Sequence, residues 1–539
     1  MRGWNFADVW EAVAEVAPDR VAVVHGDRRV SWSDLDRHAD AVAAWLLGQG
    51  LGWQDRVAQY LYNGPEYLES LFGIMKAGLV PVNTNYRYLD DELVHLWSDA
   101  GAAAVVFHGS FGPAVERVRS RVPGVGAWLY VDDGSGCPDW ATSWADVLAG
   151  SEVDHVVPTW GRSGDDLYLL YTGGTTGMPK GVMWRQDDWF VALNAPGIRP
   201  FGDEPDLDLV RREVARPGPV TMPACPLMHG TGGGAAMGAL SIGGTVALLA
   251  RRSFDPVELL DVVESASVKS IYLIGDAQMR PVLDALEAGG RSRDLTSLRI
   301  VISSGAMLGA ESKRRLHAYL PRVAVIDTLG SSEALGAASS VSQGSDGAAA
   351  TARFRPGPHT KVIDDDGREV EPGSGEVGRV AVGGRIPLGY HGDPSKTAAT
   401  FISVDGARYS VAGDHATVAA DGMIEFLGRG SVSINTGGEK VFPDEVEAVL
   451  KELTAVHDAV VVGVPDERFG SVVTAVVELG GEITDAEVIA HARTRLAAFK
   501  APRHIVRVTS IGRAANGKAD YQRLRDVAVD QVVHLAPAD

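Results

Sequence analysis

The chain has 539 residues, of which 45% are hydrophobic and 22% charged, a balance typical of a globular protein with at least two domains. The 70 acidic and 50 basic residues give a formal net charge of −20. This charge argues against a nucleic-acid-binding protein, because such proteins present a basic surface. The two cysteines, Cys137 and Cys225, are too few for a disulfide framework or a cysteine-rich metal site.

The amino-terminal segment has acidic residues early and no apolar core of the signal-peptide type. No uninterrupted apolar run approaches the roughly 18 residues that cross a bilayer. We therefore expect a cytosolic protein without a transmembrane segment.

The first 160 residues alternate helical patterns with short apolar runs. In Trp32–Gly48 the apolar residues recur at helical spacing after Ser31, a predicted N-cap. Runs with strand character occur at Val21–Val24, Ala103–Phe107 and Trp128–Val131. This alternation predicts βα units.

The middle of the chain continues the alternation. Strand patterns occur at Gly244–Leu249, Ser270–Ile274 and Leu298–Ser303, and helical patterns at Pro256–Ser265 and Ala310–Tyr319. The sequence therefore predicts an α/β fold with a parallel sheet flanked by helices.

Beyond about Pro356, turn-rich alternating segments predict antiparallel hairpins, a small β-barrel-like part. A small α+β domain follows from Val441, and we place the domain boundary near Gly428–Ser431. Its predicted elements are the helices Asp444–Leu453 and Asp485–Ala498 and the strands Ala459–Val464 and Val472–Leu479.

The segment Tyr171–Gly181 (YTGGTTGMPKG) combines four glycines, three threonines and one lysine. Glycines let a backbone approach an anion closely, and the hydroxyls can donate hydrogen bonds. The strand-like LYLL before it puts the loop at a strand end, where α/β proteins bind ligands. It lacks the Walker sequence, and a plain hairpin turn is the alternative. We predict a phosphate-binding loop made of Thr172, Gly173, Gly174, Thr175, Thr176, Gly177 and Lys180.

This loop closely resembles the signature of the adenylate-forming superfamily, which contains acyl-CoA synthetases, firefly-type luciferases and peptide-synthetase adenylation domains. Further segments match the superfamily in order over nearly the whole chain. Gly275–Pro281 (GDAQMRP) and the Met-Trp-Arg after Val182 are particularly similar to actinobacterial-type steroid or fatty acyl-CoA ligases. The resemblance implies an adenylation domain of residues 1–430, a mobile lid domain of residues 431–539, and the use of ATP, Mg²⁺ and coenzyme A.

The segment Asp327–Glu333 (DTLGSSE) resembles the adenine and magnesium motif. The resemblance implies that Glu333 holds Mg²⁺ and that Ser332 lies near the α-phosphate. A helix-start cap is the alternative interpretation. By the same resemblance the adenine contacts are Ser304, Gly305, Ala306, Asp327, Leu329, Gly330 and Ser331, where Leu329 replaces a frequent aromatic residue.

The segment Tyr409–Asp414 (YSVAGD) resembles the segment whose aspartate binds the ribose hydroxyls, although a Gly-Asp hairpin turn is the alternative. The resemblance also puts Arg429 on the ribose or phosphate and Ser431 at the hinge. It implies a pantetheine tunnel formed by Asn435, Gly437, Gly438 and Lys440.

Asn516-Gly517-Lys518 resembles the motif whose lysine reaches the active site, where it can stabilise charge at the α-phosphate. A solvated surface lysine is the alternative. The predicted catalytic residues are Lys518, Glu333, Ser332 and Thr172.

His229 aligns with a residue near the acyl pocket, but a buried core histidine is an equal alternative. The glycine run after it leaves space for a wide acid, whereas close helix packing is the competing explanation. The predicted acyl-pocket residues are His229, Gly232, Gly233, Gly234 and Asp276.

We therefore expect a CoA ligase for a bulky hydrophobic carboxylic acid, such as a steroid side chain, a terpenoid acid or a fatty acid. Two alternatives remain open. The enzyme could stop at the acyl-adenylate or serve a separate carrier protein, or the chain could be an inactive nucleotide-binding module. A homodimer is a further open expectation.

Overall fold

The computed structural model describes residues 3–535 except 151–154, 173–177, 195–198, 200, 290–292, 306–307, 345–352, 437–438, 467–468 and 515–516. For residues 429, 431, 439, 440 and 533–535 it describes the backbone alone. Within that part of the chain, no helix is both long and apolar enough to cross a membrane.

The helices alternate with strands through most of the chain. They are α1 (Phe6–Val16), α2 (Trp32–Gly48), α3 (Pro65–Lys76), α4 (Asp90–Asp99), α5 (Gly112–Val118), α6 (Trp144–Gly150), α7 (Gln186–Asn194), α8 (Leu207–Val214), α9 (Gly230–Ser241), α10 (Pro256–Ser265), α11 (Gly275–Gly289), α12 (Ala310–Tyr319), α13 (Pro394–Thr400), α14 (Pro443–Leu450), α15 (Asp485–Arg495) and α16 (Tyr521–Leu535).

The strands of the amino-terminal half are β1 (Val21–His25), β2 (Arg28–Ser31), β3 (Arg56–Tyr60), β4 (Val80–Asn83), β5 (Ala102–His108), β6 (Ala127–Val131), β7 (Thr142–Ser143), β8 (Leu167–Thr172), β9 (Lys180–Arg185), β10 (Val220–Pro223), β11 (Thr245–Leu248) and β12 (Ser270–Leu273). Those that follow are β13 (Ile300–Ser304), β14 (Ala324–Ser331), β15 (Ala334–Gln343), β16 (Arg353–Pro356), β17 (Thr360–Ile363), β18 (Gly378–Val382), β19 (Gly389–Tyr390), β20 (Phe401–Val404), β21 (Ala407–Ser410), β22 (Asp414–Val418), β23 (Ile424–Arg429), β24 (Ile434–Thr436), β25 (Glu439–Val441), β26 (Val456–Asp466), β27 (Gly470–Leu479) and β28 (His504–Val508).

Two large mixed sheets form the amino-terminal domain. One has the order β19-β9-β8-β4-β3-β5-β6-β7, parallel from β8 onward. The other begins β2-β1-β11-β10-β12-β13-β14, where β1 and the strands after it run parallel. It continues through β15 into antiparallel strands that include β16 to β18 and β20 to β23. The predicted helix-flanked parallel sheets and the antiparallel part are both confirmed.

A small carboxy-terminal domain contains the hairpin β24–β25, the three-stranded sheet β26-β27-β28 and helices α14 to α16. It has its own apolar core, in which Val446, Val461 and Val477 are fully buried. The predicted α+β architecture of this part is confirmed.

Local sequence signals located several elements closely. Helices α2, α10 and α12 have the predicted bounds, and the Ser31 hydroxyl caps α2 by accepting the backbone N–H of Asp34 at 3.0 Å. The predicted ends of α14 and α15 were wrong, because the helices stop at Leu450 and Arg495. The apolar spacing continues past both ends because Leu453 and Leu496 still pack on the domain core. The apolar pattern therefore indicated which residues are buried, and burial continues past the ends of these two helices.

Candidate functional site

A cavity of about 1120 Å³ lies along the parallel strands β10 and β12 to β14 and is bordered by the carboxy-terminal domain. It brings together segments that are more than 340 residues apart in the chain. The predicted site residues on its wall are Thr172, Lys180, His229, Gly234, Asp276, Ser304, Gly305, Asp327, Leu329, Gly330, Ser331, Ser332, Glu333, Asp414 and Lys518.

The predicted phosphate loop joins the antiparallel pair β8–β9, in which Thr172 is opposite Lys180. Residues 173–177, five of its predicted members, lie outside the described residues. The Lys180 ammonium is 2.5 Å from the Asp393 carboxylate, and this hydrogen bond lowers the pKa of Asp393. The lysine is therefore held at the cavity wall by a carboxylate.

Glu333 lies in a two-residue turn between β14 and β15, because Ser331 pairs with Ala334. The alternative of a helix start at this segment is therefore wrong. The Tyr390 hydroxyl donates to Glu333 Oε1 at 2.6 Å, and the Trp184 indole N–H donates to the Ser332 carbonyl at 2.9 Å. These two contacts orient the turn at the cavity.

Lys396 extends this polar wall. Its ammonium lies 4.3 Å from the centre of the Tyr390 ring. Burial and the nearby positive charge of Lys180 lower the pKa of Lys396. Two lysines and the two carboxylates of Glu333 and Asp393 therefore lie close enough to act on one another at this side of the cavity.

The predicted adenine wall consists of the adjacent strands β13 and β14, where Ser304 pairs with Thr328. Gly305 has φ +81°, a backbone conformation that favours glycine. The Asp327 carboxylate is buried and already contacts Lys313 at 2.5 Å and the backbone N–H of Leu308 at 3.2 Å. Burial outweighs Lys313 and raises the pKa of Asp327. Ala306 lies outside the described residues.

Asp414 is a buried residue at the start of β22, paired with the backbone of Arg429 on β23. Asp414 therefore belongs to a strand beside the cavity. Only Gly413, just before the strand, has the positive φ, +96°, that the alternative of a Gly-Asp turn would favour.

The predicted pantetheine and hinge residues are described only in part. The backbone of Ser431 lies in a 3-10 turn, Gly430–Val432, between the two domains. Asn435 is exposed on β24 and is not on the cavity wall. Gly437 and Gly438 lie outside the described residues, and so do the side chains of Arg429, Ser431 and Lys440.

Lys518 reaches the cavity from the carboxy-terminal domain, and its positive charge acts on His229 of the amino-terminal domain. Burial, Lys518 and Arg87 together lower the pKa of His229 to about 4, so its imidazole is neutral at pH 7. Gly517 packs directly on Ile274, where a Cβ atom would overlap the isoleucine side chain. The two domains therefore meet closely at the predicted catalytic lysine.

One face of helix α9 forms the opposite wall. Its cavity residues are Gly230, Thr231, Gly234, Ala235, Gly238 and Ala239, a repeat of nearly four residues. Gly232 and Gly233 are not on this wall. A Cβ at Gly232 would overlap the Pro226 carbonyl, and one at Gly233 would lie 2.7 Å from the Leu227 carbonyl. For these two glycines the competing explanation of close packing holds.

Arg280 is a site residue that the motif comparison did not single out. From α11 it donates to the carbonyls of Val456 at 2.8 Å, of His457, and of Lys451 at 3.4 Å in the carboxy-terminal domain. Asp276, one turn earlier on the helix, is 3.7 Å from its guanidinium and accepts the backbone N–H of Gly309 at 3.2 Å. The GDAQMRP segment contains both residues. The contact of Arg280 could not be predicted from the sequence, because its partners are backbone carbonyls, which every residue has.

Comparison with known proteins gives consistent matches over nearly the whole chain. Residues 10–391 match the family model of AMP-binding enzymes, and residues 445–518 match the model of their carboxy-terminal domain. A medium/long-chain-fatty-acid–CoA/3-oxocholest-4-en-26-oate–CoA ligase of Mycolicibacterium smegmatis is 40% identical, over 99% of this chain and 97% of that protein. A 3-oxocholest-4-en-26-oate–CoA ligase of Rhodococcus rhodochrous is 39% identical, over 99% and 97%.

Among solved structures, the anthranilate CoA ligase AuaEII in complex with anthranoyl-AMP superposes with a TM-score of 0.84 at 23% identity, covering 99% of both chains. At that identity the likeness concerns the fold.

Proposed function

This chain belongs to the AMP-binding enzyme family, and from that premise we propose that it is an acyl-CoA synthetase for bulky hydrophobic carboxylic acids. The observation that carries the proposal is the single cavity on whose wall Lys180, Glu333, Asp414 and Lys518 all lie. In the first half-reaction a carboxylate oxygen attacks the α-phosphorus of ATP, which forms acyl-AMP and releases pyrophosphate. In the second, the CoA thiolate attacks the acyl carbonyl, which forms the thioester and releases AMP.

Charge dictates what the protein must supply. A carboxylic acid with a pKa of about 4 is already ionised near pH 7, so no general base is needed. The site must reduce the repulsion between this anion and ATP and stabilise the charge on the departing pyrophosphate. We assign the phosphates to the 172–180 loop and Lys180, the adenine to the wall formed by β13 and β14, and the ribose to Asp414.

Magnesium is proposed as a companion of ATP. Among the described residues no group of three or more His, Cys, Asp or Glu side chains forms a metal site. Mg²⁺ is commonly held by one or two carboxylates together with substrate phosphates, and Glu333 fits that role. The cation would neutralise charge on the phosphates during the transfer.

Lys518 is proposed to bridge the carboxylate and the α-phosphate while acyl-AMP forms. The carboxy-terminal domain would then rotate about Ser431, withdraw Lys518 and bring the 435–440 segment to the site for the thiol. Lys518 lies on the cavity wall, and we propose that this arrangement of the domains serves the first half-reaction.

The relatives named above as ligases of medium- or long-chain fatty acids and 3-oxocholest-4-en-26-oate favour the same substrate classes for this chain. The cavity is compatible with a wide acid because small residues form its α9 wall. We place the enzyme in the cytosol, where ATP and CoA are available. A homodimer stays a prediction that light scattering after size-exclusion chromatography tests.

The test is a panel of polycyclic, long-chain and aromatic acids, scored for pyrophosphate, AMP and acyl-CoA with and without CoA. We expect acid-dependent pyrophosphate release, followed by AMP and thioester when CoA is present. Pyrophosphate without thioester would instead identify an enzyme that stops at acyl-AMP or serves a carrier protein. The absence of pyrophosphate release with every acid would overturn the proposal.

A further inference from the structure

The cavity extends along strands β12 and β13 of the sheet that carries the predicted nucleotide site. Alternate residues of β12 and β13 and the positions that follow them line it, namely Ser270, Tyr272, Ile274, Ile300, Ile302 and Ser304. Alternate residues share one face of a sheet, so the cavity follows that face from the carboxyl ends of the strands to their amino ends. The distance from Ile300 to Ser304 is about 13 Å at the usual rise per strand residue.

Helix α9 runs along the other side of the cavity. Its cavity face runs from Gly230 to Ile242 just beyond the helix, about 18 Å at the usual rise per helical residue. The slot between helix and sheet therefore has two ends. Ser304 and Thr328 lie at the nucleotide end, whereas Ser270 and Ile300 lie at the far end.

The far end is polar and positively charged. Thr221 and Ser270 are opposite each other in the sheet, and their hydroxyl oxygens are 3.0 Å apart. Lys269 and Arg299, the residues just before β12 and β13, also lie on the cavity wall. Both are exposed, so this end of the slot meets solvent.

Neither cation is neutralised by an acid within the described part of the chain. The Arg299 guanidinium donates to the carbonyls of Leu298, at 3.0 Å, and Thr296. The Lys269 ammonium has no ion pair among the described residues, where only its backbone groups are bonded. Two cations, and the hydroxyl of the Thr221–Ser270 pair that accepts rather than donates in their mutual hydrogen bond, can therefore donate to a ligand oxygen at this end of the slot.

We propose that this far end is a distal recognition site for a hydrogen-bond-accepting oxygen, a ketone or a carboxylate, at the end of the acid remote from the carboxylate that is activated. The inference rests on the proposed function, because it needs the reacting carboxylate at the nucleotide end. It predicts that the preferred substrates are oxygenated at both ends, with an apolar body between them.

The test compares matched acids of equal length that differ only at the distal end. The pairs are 3-oxocholest-4-en-26-oate with its analogue lacking the 3-oxo group, and a long-chain ω-carboxy acid with the simple fatty acid. We expect kcat/KM for acid-dependent pyrophosphate release to be about tenfold higher for the oxygenated member of at least one pair, as for a hydrogen bond to a charged donor at a partly exposed site. The pair that shows the effect identifies the oxygen as neutral or anionic.

Two variants assign the effect to these residues. The variants are the double change Lys269→Met/Arg299→Met and, separately, Thr221→Val. In each, the ratio of kcat/KM for the oxygenated acid to kcat/KM for its oxygen-free partner should fall towards one. The value for the oxygen-free acid should stay within about twofold of the wild-type value, because no contact to an apolar end is lost. Arg314→Met is the control, since Arg314 is an exposed arginine on α12 away from the cavity.

The outcomes separate the two proposals. Equal kcat/KM within both pairs of acids, or an equal loss for both members in the variants, would overturn the distal site and leave the synthetase assignment standing. If no acid releases pyrophosphate, the proposed function itself is overturned.

Discussion

At the scale of single residues, burial and a few nearby charges set the electrostatics of the site. Lys518 and His229 show this effect, because burial and the positive charge of the lysine together keep the imidazole neutral near pH 7. A neutral histidine can lie beside an ATP-binding site without adding to or opposing the charge of the phosphates. Lys518 is then the movable cation that the proposed mechanism requires.

The first prediction concerns Lys518→Ala. We expect pyrophosphate release to fall by about 100- to 1000-fold, the range seen when one charge-stabilising donor is removed. Thioester formation from supplied acyl-AMP and CoA should persist, because Lys518 is withdrawn in that step. Lys500→Ala is the control, since Lys500 pairs with Glu445 at 2.7 Å away from the cavity wall. Equal loss of both half-reactions would contradict the proposed division of roles.

The second prediction concerns Glu447, a buried acid of the carboxy-terminal domain. It accepts hydrogen bonds from the Tyr521 hydroxyl and the Val461 backbone, both at 2.9 Å. Burial, with Asp444 in addition, raises the pKa of Glu447 above its ordinary value of 4.5. Above pH 4.5 the folded state therefore retains a proton that the unfolded state has lost. This contribution to stability is complete below pH 4.5 and is lost as the pH rises through the raised pKa.

Glutamine imitates the protonated acid at every pH. The melting temperature of Glu447→Gln should therefore decline less than that of the wild type between pH 5 and pH 8. Differential scanning fluorimetry across this range measures both slopes. Glu482→Gln, a change at an exposed acid of the same domain, should leave the wild-type slope unaltered. Parallel curves for wild type and Glu447→Gln would show that Glu447 does not titrate in this range.

At the scale of elements, helix α9 forms one wall of the proposed acyl slot. Its glycines have different surroundings. Those at 232 and 233 allow close packing on the Pro226–Leu227 backbone, whereas a Cβ at Gly238 would meet nothing within 4 Å. Gly238 therefore faces open cavity space, and adding a side chain there has a predictable result.

The third prediction is that Gly238→Leu narrows the slot without disturbing the fold. We expect kcat/KM for a polycyclic acid to fall by at least about tenfold, while a medium-length straight-chain acid is still activated, because only the wide substrate needs the filled volume. Gly238→Ala is the milder control and should stabilise the helix by up to about 1 kcal/mol. Unchanged kcat/KM for the polycyclic acid would place Gly238 outside the acyl slot.

At the scale of the whole molecule, the two domains are in contact beside the cavity. The Arg280 guanidinium is mostly buried and spans from α11 to three backbone carbonyls near the start of β26. Because this contact accompanies Lys518 on the cavity wall, it stabilises the domain arrangement proposed for acyl-AMP formation.

The fourth prediction is that Arg280→Met slows pyrophosphate release by about tenfold, in line with the loss of hydrogen bonds from a charged donor. Thioester formation from supplied acyl-AMP should be unchanged or faster, because the competing arrangement is no longer disfavoured. Single-turnover measurements of each half-reaction test this. Arg315→Met serves as the control, since Arg315 pairs with Asp284 and Glu287 within the amino-terminal domain. A matching decrease in both half-reactions would rule out a role in domain arrangement.

The sequence by itself determined the local features: the glycine-threonine loop after a strand, the bounds of α2, α10 and α12, and the order of motifs that indicates the family. These depend on side-chain spacing and capping within a few residues, which a sequence displays directly. The α/β architecture could also be predicted from the sequence, because a chain that alternates helices and strands has few ways to bury the apolar faces of both.

Only the tertiary structure decided which residues meet. The contacts of Tyr390 with Glu333, of Lys180 with Asp393 and of Arg280 with carbonyls beyond residue 450 join segments that no spacing rule connects. The tertiary structure also showed that Gly234 lines the cavity whereas Gly232 packs against the backbone, because the surroundings of a glycine depend on the elements opposite it. The polar far end of the slot has the same origin, since strand register brings Thr221 beside Ser270, which is 49 positions later in the chain.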